Sequence, residues 1–227
     1  MGGAGEWRMD GPIGRWTAVL LLALLLLLPG CGPLRSTEVR LMERHAEESL
    51  ARSEELIARL YRKNPRYEKD PAIRQRNLRR IFHEEHPPIG FFLKSSHEIL
   101  AEAFVASPAE PDRVFLLGLG LAKSIREAYG LDRGGPFLLG LQVSHERLER
   151  LHFNLNHLNW RIKNHRDARG DLLFLTNEVG PDGTLNMGYE VIMTEILTWI
   201  RDDLYLRGGL PQRYIFSMTT LFASIVL

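Results

Sequence analysis

Cysteine is almost missing from this sequence of 227 residues, since Cys31 is the only one. One cysteine cannot form a disulfide within the chain, and it cannot supply a Cys-rich zinc site or a CxxC redox pair. The chain also lacks a large excess of positive or negative residues, because its formal net charge is +1. The chain as a whole therefore lacks the basic character that is typical of nucleic-acid-binding domains. The composition is that of an ordinary globular protein, long enough for one domain or two small ones.

A long apolar run is also lacking, but a shorter one lies near the N-terminus. The thirteen residues from Trp16 to Leu28 carry no charge, whereas a helix needs about 20 apolar residues to span a bilayer. Arg8 and Arg15 precede this run, and small residues and Cys31 follow it. Basic residues, a short apolar stretch and small residues in this order are typical of a signal peptide. Residues 1–30 are therefore predicted to be a signal peptide.

The end of this segment, Leu28-Pro29-Gly30-Cys31, resembles the lipobox of bacterial lipoproteins, with an apolar residue at the first position and a small residue directly before the cysteine. Pro29 departs from the family pattern, in which that position is usually small. The resemblance implies cleavage before Cys31 and attachment of lipid, including palmitate, to this residue. Because Gly32 and not Asp follows, it also implies a location on the periplasmic face of the outer membrane. An ordinary secretory signal and a retained membrane anchor are the alternatives.

Apolar residues recur every three or four positions over much of the remaining chain, which predicts an all-α fold. A first helix is expected from Ser36 to about Tyr61. A second is expected from Pro71 to about Glu85, with Asp70 as its N-cap and Pro71 in its first turn. The segment Asp171–Thr176 is a candidate for one small β element or a helical turn. Four further apolar segments cover Ser95–Ala106, Arg113–Tyr129, Phe137–Asn164 and Met187–Tyr205.

Prolines and charge suggest how these helices are organised. The pair Pro87-Pro88 predicts a boundary between a charged helical arm, residues 31–88, and a helical globular body, residues 89–227. Pro181-Asp182-Gly183 reads as a tight turn. The last fourteen residues, Tyr214 to Leu227, carry no charge and are too short for a membrane span, so they are predicted to form a buried final helix.

Two glycines raise the possibility of a nucleotide-binding turn. Gly118 and Gly120 follow an apolar run, but Lys123 stands where a dinucleotide fingerprint needs its third glycine. A P-loop fails as well, because Ala122 replaces the glycine before Lys123-Ser124. The two glycines are therefore interpreted as positions of close helix packing.

Histidines and carboxylates on two later helices are the candidates for catalysis. His145, Glu149 and His152 share one helix face and could bind zinc, but the two histidines lie two turns apart, about 10 Å along the axis. No catalytic residue, metal or cofactor is assigned on this basis. A lipid-anchored periplasmic hydrolase or metal-dependent enzyme that uses the histidine-bearing helix remains the alternative function. The acidic residues of the segment Met187–Tyr205 are interpreted as the polar face of a helix: Glu190, Glu195, Asp202 and Asp203.

The clearest charge asymmetry is the stretch Arg59–Arg80, in which nine lysines and arginines against two acids give a local charge of +7. Part of it, Leu60–Arg66, is similar to a segment of uncharacterised lipoproteins of Gram-negative bacteria. Such a stretch can lie on anionic lipid, at about 1 kcal/mol per basic residue, or dock on an acidic protein; the predicted location argues against nucleic acid. We therefore expect a non-catalytic envelope protein that binds a membrane surface or a partner through Arg62, Lys63, Arg66, Arg76, Arg79 and Arg80.

Overall fold

The computed structural model describes residues 37–84, 87–105, 111–131, 143–179 and 185–208. Several sequence predictions concern residues outside these ranges: the signal peptide with Cys31, the start of the first helix at Ser36, the end of the second near Glu85, residues 137–142, the Pro181–Gly183 turn and the apolar tail from Tyr214 to Leu227. Within the described ranges, no helix is both long and apolar enough to cross a bilayer.

Helices make up nearly all regular structure of the described chain, which confirms the all-α prediction. The segment Asp171–Thr176 is irregular, apart from an isolated bridge between Leu172 and Arg166. A minimal antiparallel pairing joins Glu178–Val179 (β1) to Leu185–Asn186 (β2). The helices are α1 (Thr37–Lys63), α2 (Pro71–Phe82), α3 (Ser96–Glu102), α4 (Arg113–Tyr129), α5 (His145–Asn164) and α6 (Gly188–Leu206), with a 3₁₀ turn at Ile89–Phe91.

The centre of the fold is α4. Thirteen of its seventeen residues are buried, as expected for a helix whose apolar residues extend around most of its circumference. It packs against α1, α2, α3 and α5, while α6 packs against α1 and α5. The shared core is therefore built around one helix, and every other described helix contacts α4 or a neighbour of α4.

This packing joins helices of the predicted arm to helices of the predicted body. The apolar stripe of α1 is buried as expected, but it is buried against α4 and α6 of the predicted body. Leu78 and Ile81 of α2 belong to the same core. The described helices on both sides of the predicted boundary therefore share one hydrophobic core. The helix α2 ends at Phe82, before the two prolines at 87 and 88, and the hydrophobic core continues on both sides of them.

Side chains that the sequence makes available fix the helix ends. The Asp70 carboxylate accepts the N–H of Ala72 at 2.8 Å, and Pro71 follows in the first turn, both as predicted. Ser95 and Glu98 form a reciprocal capping box at the start of α3. Gly130 closes α4 with φ of 70°, a left-handed conformation that glycine adopts without strain.

Gly118 and Gly120 serve helix packing, as the sequence indicated. A Cβ atom on Gly118 would lie 3.1 Å from carbons of Ile57 and Ile81, and one on Gly120 would lie 2.6 Å from Cγ of Leu100. The absent side chains thus let α1, α2 and α3 approach the backbone of α4. Backbone contact between helices, and not phosphate binding, explains the two glycines.

We predict that Gly120→Ala destabilises the protein. Overpacking a core costs about 1–3 kcal/mol, which outweighs the roughly 1 kcal/mol that alanine gains in helix propensity. The control is Gly90→Ala, because no atom lies within 4 Å of its added Cβ and its free energy of unfolding should change by no more than about 0.5 kcal/mol. Urea unfolding measures both. Equal stability of the two variants would contradict the packing argument.

Candidate functional site

Two of the six predicted contact residues, Arg62 and Lys63, lie at the C-terminal end of α1. Together with Arg59 they line a cavity of about 300 Å³, which we call the basic cavity. Its remaining lining residues are Leu60, Thr176, Gly188 and Tyr189. Arg59 is ion-paired with Glu55 at 2.6 Å, whereas Arg62 is exposed and forms no ion pair with any described residue.

The first turn of α6 forms the opposite wall of the basic cavity. This turn carries partial positive charge from the helix dipole, and Met187 provides no side-chain cap for it. Tyr189 is buried there, and its hydroxyl has no hydrogen-bond partner among the described residues. Burial raises the pKa of this hydroxyl well above its ordinary value, so it stays a neutral donor. The cavity therefore offers cationic groups to an anion.

Arg66 has a different environment, although it belongs to the same basic stretch. Its guanidinium donates to the carbonyl oxygens of Leu172 (2.8 Å) and Leu173 (2.5 Å). Tyr67 donates to the same Leu173 carbonyl at 2.6 Å, and Asn64 exchanges two hydrogen bonds with the backbone of Leu175. Arg66 thus holds the segment after α5 against the end of α1.

The other three basic residues lie on α2. Arg76 and Arg79 are exposed, and neither forms an ion pair with a described residue. The Arg80 guanidinium lies over the ring of Phe115, 5.7 Å from its centroid, in a cation–π contact. None of the three lines the basic cavity. The predicted contact residues therefore separate into the cavity, the structural Arg66 and the face of α2.

A buried polar network that the sequence analysis missed joins three helices. The Asp203 carboxylate of α6 is fully buried and accepts hydrogen bonds from His45 Nδ1 of α1 at 2.7 Å and from the Tyr129 hydroxyl of α4 at 2.5 Å. An ionised carboxylate can only accept, so both partners donate. Burial, reinforced by the charge of Asp203, raises the pKa of Tyr129 well above its usual value. The His45 ring stacks on Trp199 with centroids 6.4 Å apart.

The position of Asp203 could have been recognised from its spacing. It lies three residues after Ile200, so it continues the buried stripe of α6 and does not belong to its polar face. The other acids of this helix differ: Glu190 pairs with Lys163 and Glu195 with Arg52, both at 2.8 Å, and Asp202 is exposed. The interpretation of Asp203 as a surface acid is therefore corrected.

A second, half-buried carboxylate lies at the other end of α4. Asp112, its N-cap, accepts the N–H of Phe115 at 2.9 Å and the Tyr61 hydroxyl at 2.8 Å. Asn77 of α2 donates to the same carboxylate at 3.1 Å. Burial raises the pKa of Asp112, while the bonds from Phe115 and Tyr61 act in the opposite direction. The Asp112 and Asp203 networks each pair a carboxylate with a tyrosine.

The Asp203 network contains the residue types of a nucleophilic triad, because Ser49 lies one helical turn after His45. Such a triad consists of a serine, a histidine and an aspartate that are joined in this order by hydrogen bonds. Here, however, Ser49 and Asp203 are both fully buried, and the Ser49 hydroxyl bonds to no described residue. A substrate cannot reach a serine in the core. The arrangement therefore stabilises the fold and does not form a catalytic site.

The histidines of α5 do not converge either. His152 is half-buried, and burial, with a smaller contribution from the charge of Arg201, lowers the pKa of its imidazole. His157 is exposed and lies beside Trp160, with ring centroids 6.4 Å apart. In the described part of the chain, no three histidine, cysteine or acidic side chains lie close enough to hold a metal. The geometry gives the alternative enzyme hypothesis no assembled site.

We expect Tyr129→Phe to lower the free energy of unfolding by about 1.5–3 kcal/mol, because it removes a hydrogen bond to a buried charged group. Tyr205→Phe is the matched control, since Tyr205 is 58% exposed and its loss of a hydroxyl should cost less than about 0.5 kcal/mol. Denaturant titration at neutral pH gives both values. If the two variants unfold together, the Asp203 network does not stabilise the fold as argued.

Comparison with known proteins assigns the chain to no family. No protein-family model matches it, and neither does any curated protein or any solved structure. What the protein does must therefore be inferred from its own residues and their arrangement.

Proposed function

We propose that the protein is a lipid-anchored component of the bacterial cell envelope, held at the periplasmic face of the outer membrane by lipid on Cys31. The support for this anchor is the apolar run from Trp16 to Leu28 and the lipobox-like residues Leu28-Pro29-Gly30-Cys31 that end it. Stable anchoring needs more than one acyl chain, because a single chain binds a bilayer only marginally. Acylation at the new N-terminus of a lipoprotein supplies several chains.

The proposed role of the folded part is to bind an acidic segment of another envelope protein. The observation that carries this proposal is the basic cavity, in which Arg59, Arg62 and Lys63 face the first turn of α6. A recess of about 300 Å³ is large enough for a carboxylate side chain. The exposed Arg62 guanidinium can form a bidentate pair with such a group. Charge complementarity of this kind also speeds and orients the encounter.

Binding is favoured over catalysis by where the titratable groups lie. Asp203 is sealed in the core and Asp112 lies in a second polar network, where each carboxylate is occupied by hydrogen bonds within the fold. The histidines of α5 are dispersed between exposed and half-buried positions. The basic cavity has cationic residues and no described acid in its lining. This chemistry suits recognition of an anion.

We predict that Cys31→Ser abolishes lipid attachment in bacterial cells, because serine lacks the thiol that accepts lipid in lipoproteins. Metabolic labelling with a radioactive fatty acid, followed by separation of the membranes, measures attachment and location together. Ser36→Ala is the control and should label like the wild-type chain. Failure of label to enter the wild-type protein would overturn both the anchor and the proposed location.

For the basic cavity, we predict that Arg62→Glu reduces capture of the partner at least about threefold, because reversed charge repels an acidic group. Capture is measured by photo-crosslinking in cells from a photoreactive amino acid at Thr176, which lines the cavity. Arg169→Glu is the control, since Arg169 is exposed and lies outside the cavity. An unchanged crosslinking pattern with Arg62→Glu would show that the cavity is not the contact.

A further inference from the structure

An exposed apolar tip lies between α2 and α3. Ile89 is 99% exposed, Leu93 is 93% exposed and Phe92 is 58% exposed; these three residues are called the tip. Single exposed apolar residues are common on protein surfaces. Three within five positions, two of them almost fully exposed, instead mark a surface that contacts something apolar.

The tip is held in place by bonds at its base. The N–H of Phe91 donates to the Pro88 carbonyl at 2.8 Å, which closes the turn. The Lys123 ammonium of α4 donates to the carbonyls of Phe92 (3.3 Å) and Lys94 (2.6 Å). While Ile89, Phe92 and Leu93 face solvent, their backbone is attached to the central helix. The apolar side chains are thus presented outward by a fixed support.

Aromatic contacts place cationic residues around this base. The ring of Phe91 packs against Phe115 with centroids 6.0 Å apart. Arg80 lies over the Phe115 ring at 5.7 Å, and Lys94 lies over the Phe91 ring at 5.3 Å. Two aromatic rings therefore lie at the base of the tip, and each has a cationic side chain over its face.

Some of the cations near the tip are paired with acidic side chains. Lys94 pairs with Glu102 at 2.5 Å, and Lys123 lies 4.0 Å from Glu127. The excess comes from α2, which leads to the tip and contains four arginines and no acid. Of these, Arg76 and Arg79 are exposed without an ion pair among the described residues. The tip is thus apolar and the helix before it is basic.

We propose that the tip inserts into an anionic lipid surface while the α2 arginines contact the headgroups. Apolar side chains beside a basic helix face match the two layers of a bilayer interface, acyl chains below and anionic phosphates above. An acidic protein would satisfy the arginines but leave Ile89 and Leu93 without an apolar environment, so lipid is the occupant that fits both. The inference rests on the proposed membrane anchoring, which holds the chain beside such a surface.

The test uses the full chain reconstituted in vesicles whose acyl chains carry bromine, which quenches tryptophan inside the bilayer. Leu93→Trp adds a reporter at the tip, and Val191→Trp adds one at an exposed apolar position of α6. In vesicles that contain phosphatidylglycerol, the Leu93→Trp emission above the wild-type background should be quenched at least about twofold more than that of Val191→Trp. Ile89→Trp should behave like Leu93→Trp, which guards against an effect of one substitution.

Charge provides the second arm of the test. Adding Arg76→Glu and Arg79→Glu to Leu93→Trp should reduce the lipid quenching about twofold or more, and phosphatidylcholine alone should reduce it similarly. Equal quenching at positions 93 and 191 would overturn the proposal. So would an emission shift that depends on protein concentration without lipid quenching, since that indicates a second copy on the tip. Mass spectrometry of the same sample reports acylation of Cys31. If Cys31 carries no lipid while the tip is still quenched, the proposed anchor is overturned and the proposal for the tip is not.

Discussion

The fold depends on the need to satisfy two carboxylates, Asp203, which is fully buried, and Asp112, which is half-buried. A hydrogen bond to a charged group contributes about 1.5–3 kcal/mol, so Asp112 and Asp203 require their tyrosine partners to be in place. Both networks reach α1, through Tyr61 and through His45. Tyr61 lies sixteen positions after His45, which corresponds to about 24 Å of helix, and the distance from Asp112 to Tyr129 corresponds to about 26 Å. The segments of α1 and α4 between the two networks are therefore nearly equal in length. The networks fix α1 antiparallel to α4.

Local patterns in the sequence predicted the helices well. Periodic apolar residues placed α4 and α6 to within a residue, and Asp70 with Pro71 marked the start of α2. The physical reason is that helix formation and capping depend on residues three or four positions apart. Such information lies inside a short window, so it can be read without the fold. The interpretation of Gly118 and Gly120 as packing positions also relied on a short window. Lys123 and Ala122 stand where the two phosphate-binding motifs need glycine, and this is visible within a few residues.

Pairings over long distances in the chain could not be predicted in this way. His45 and Asp203 are 158 positions apart, and no local rule connects them. The same limit explains why an arm was expected: prolines stop a helix, but only tertiary packing shows that α1 and α2 are part of the core. For Arg66, composition suggested a contact surface, because a basic stretch does not show which of its arginines bind backbone carbonyls of a distant loop.

The outer surface separates two kinds of positive site. At the end of α1, cations border a recess; on α2, they flank an apolar tip. Binding of an anion in the basic cavity would depend on well-placed hydrogen bonds. Insertion of the tip into a bilayer would depend on burial of apolar side chains. One basic stretch of sequence can thus serve two contacts, because α2 packs back along α1. His83, at its C-terminal end, lies 3.0 Å from the Glu54 carboxylate and so away from the end of α1.

The antiparallel attachment of α1 to α4 has a mechanical meaning. A force applied along α1 from its N-terminal end acts in shear on the Asp203 network and the Asp112 network together. Unzipping would break bonds one after another, whereas shear divides the load between both networks and the packed stripe. A chain tethered at that end to a moving membrane would therefore resist extraction of α1 better than the strength of either network alone suggests.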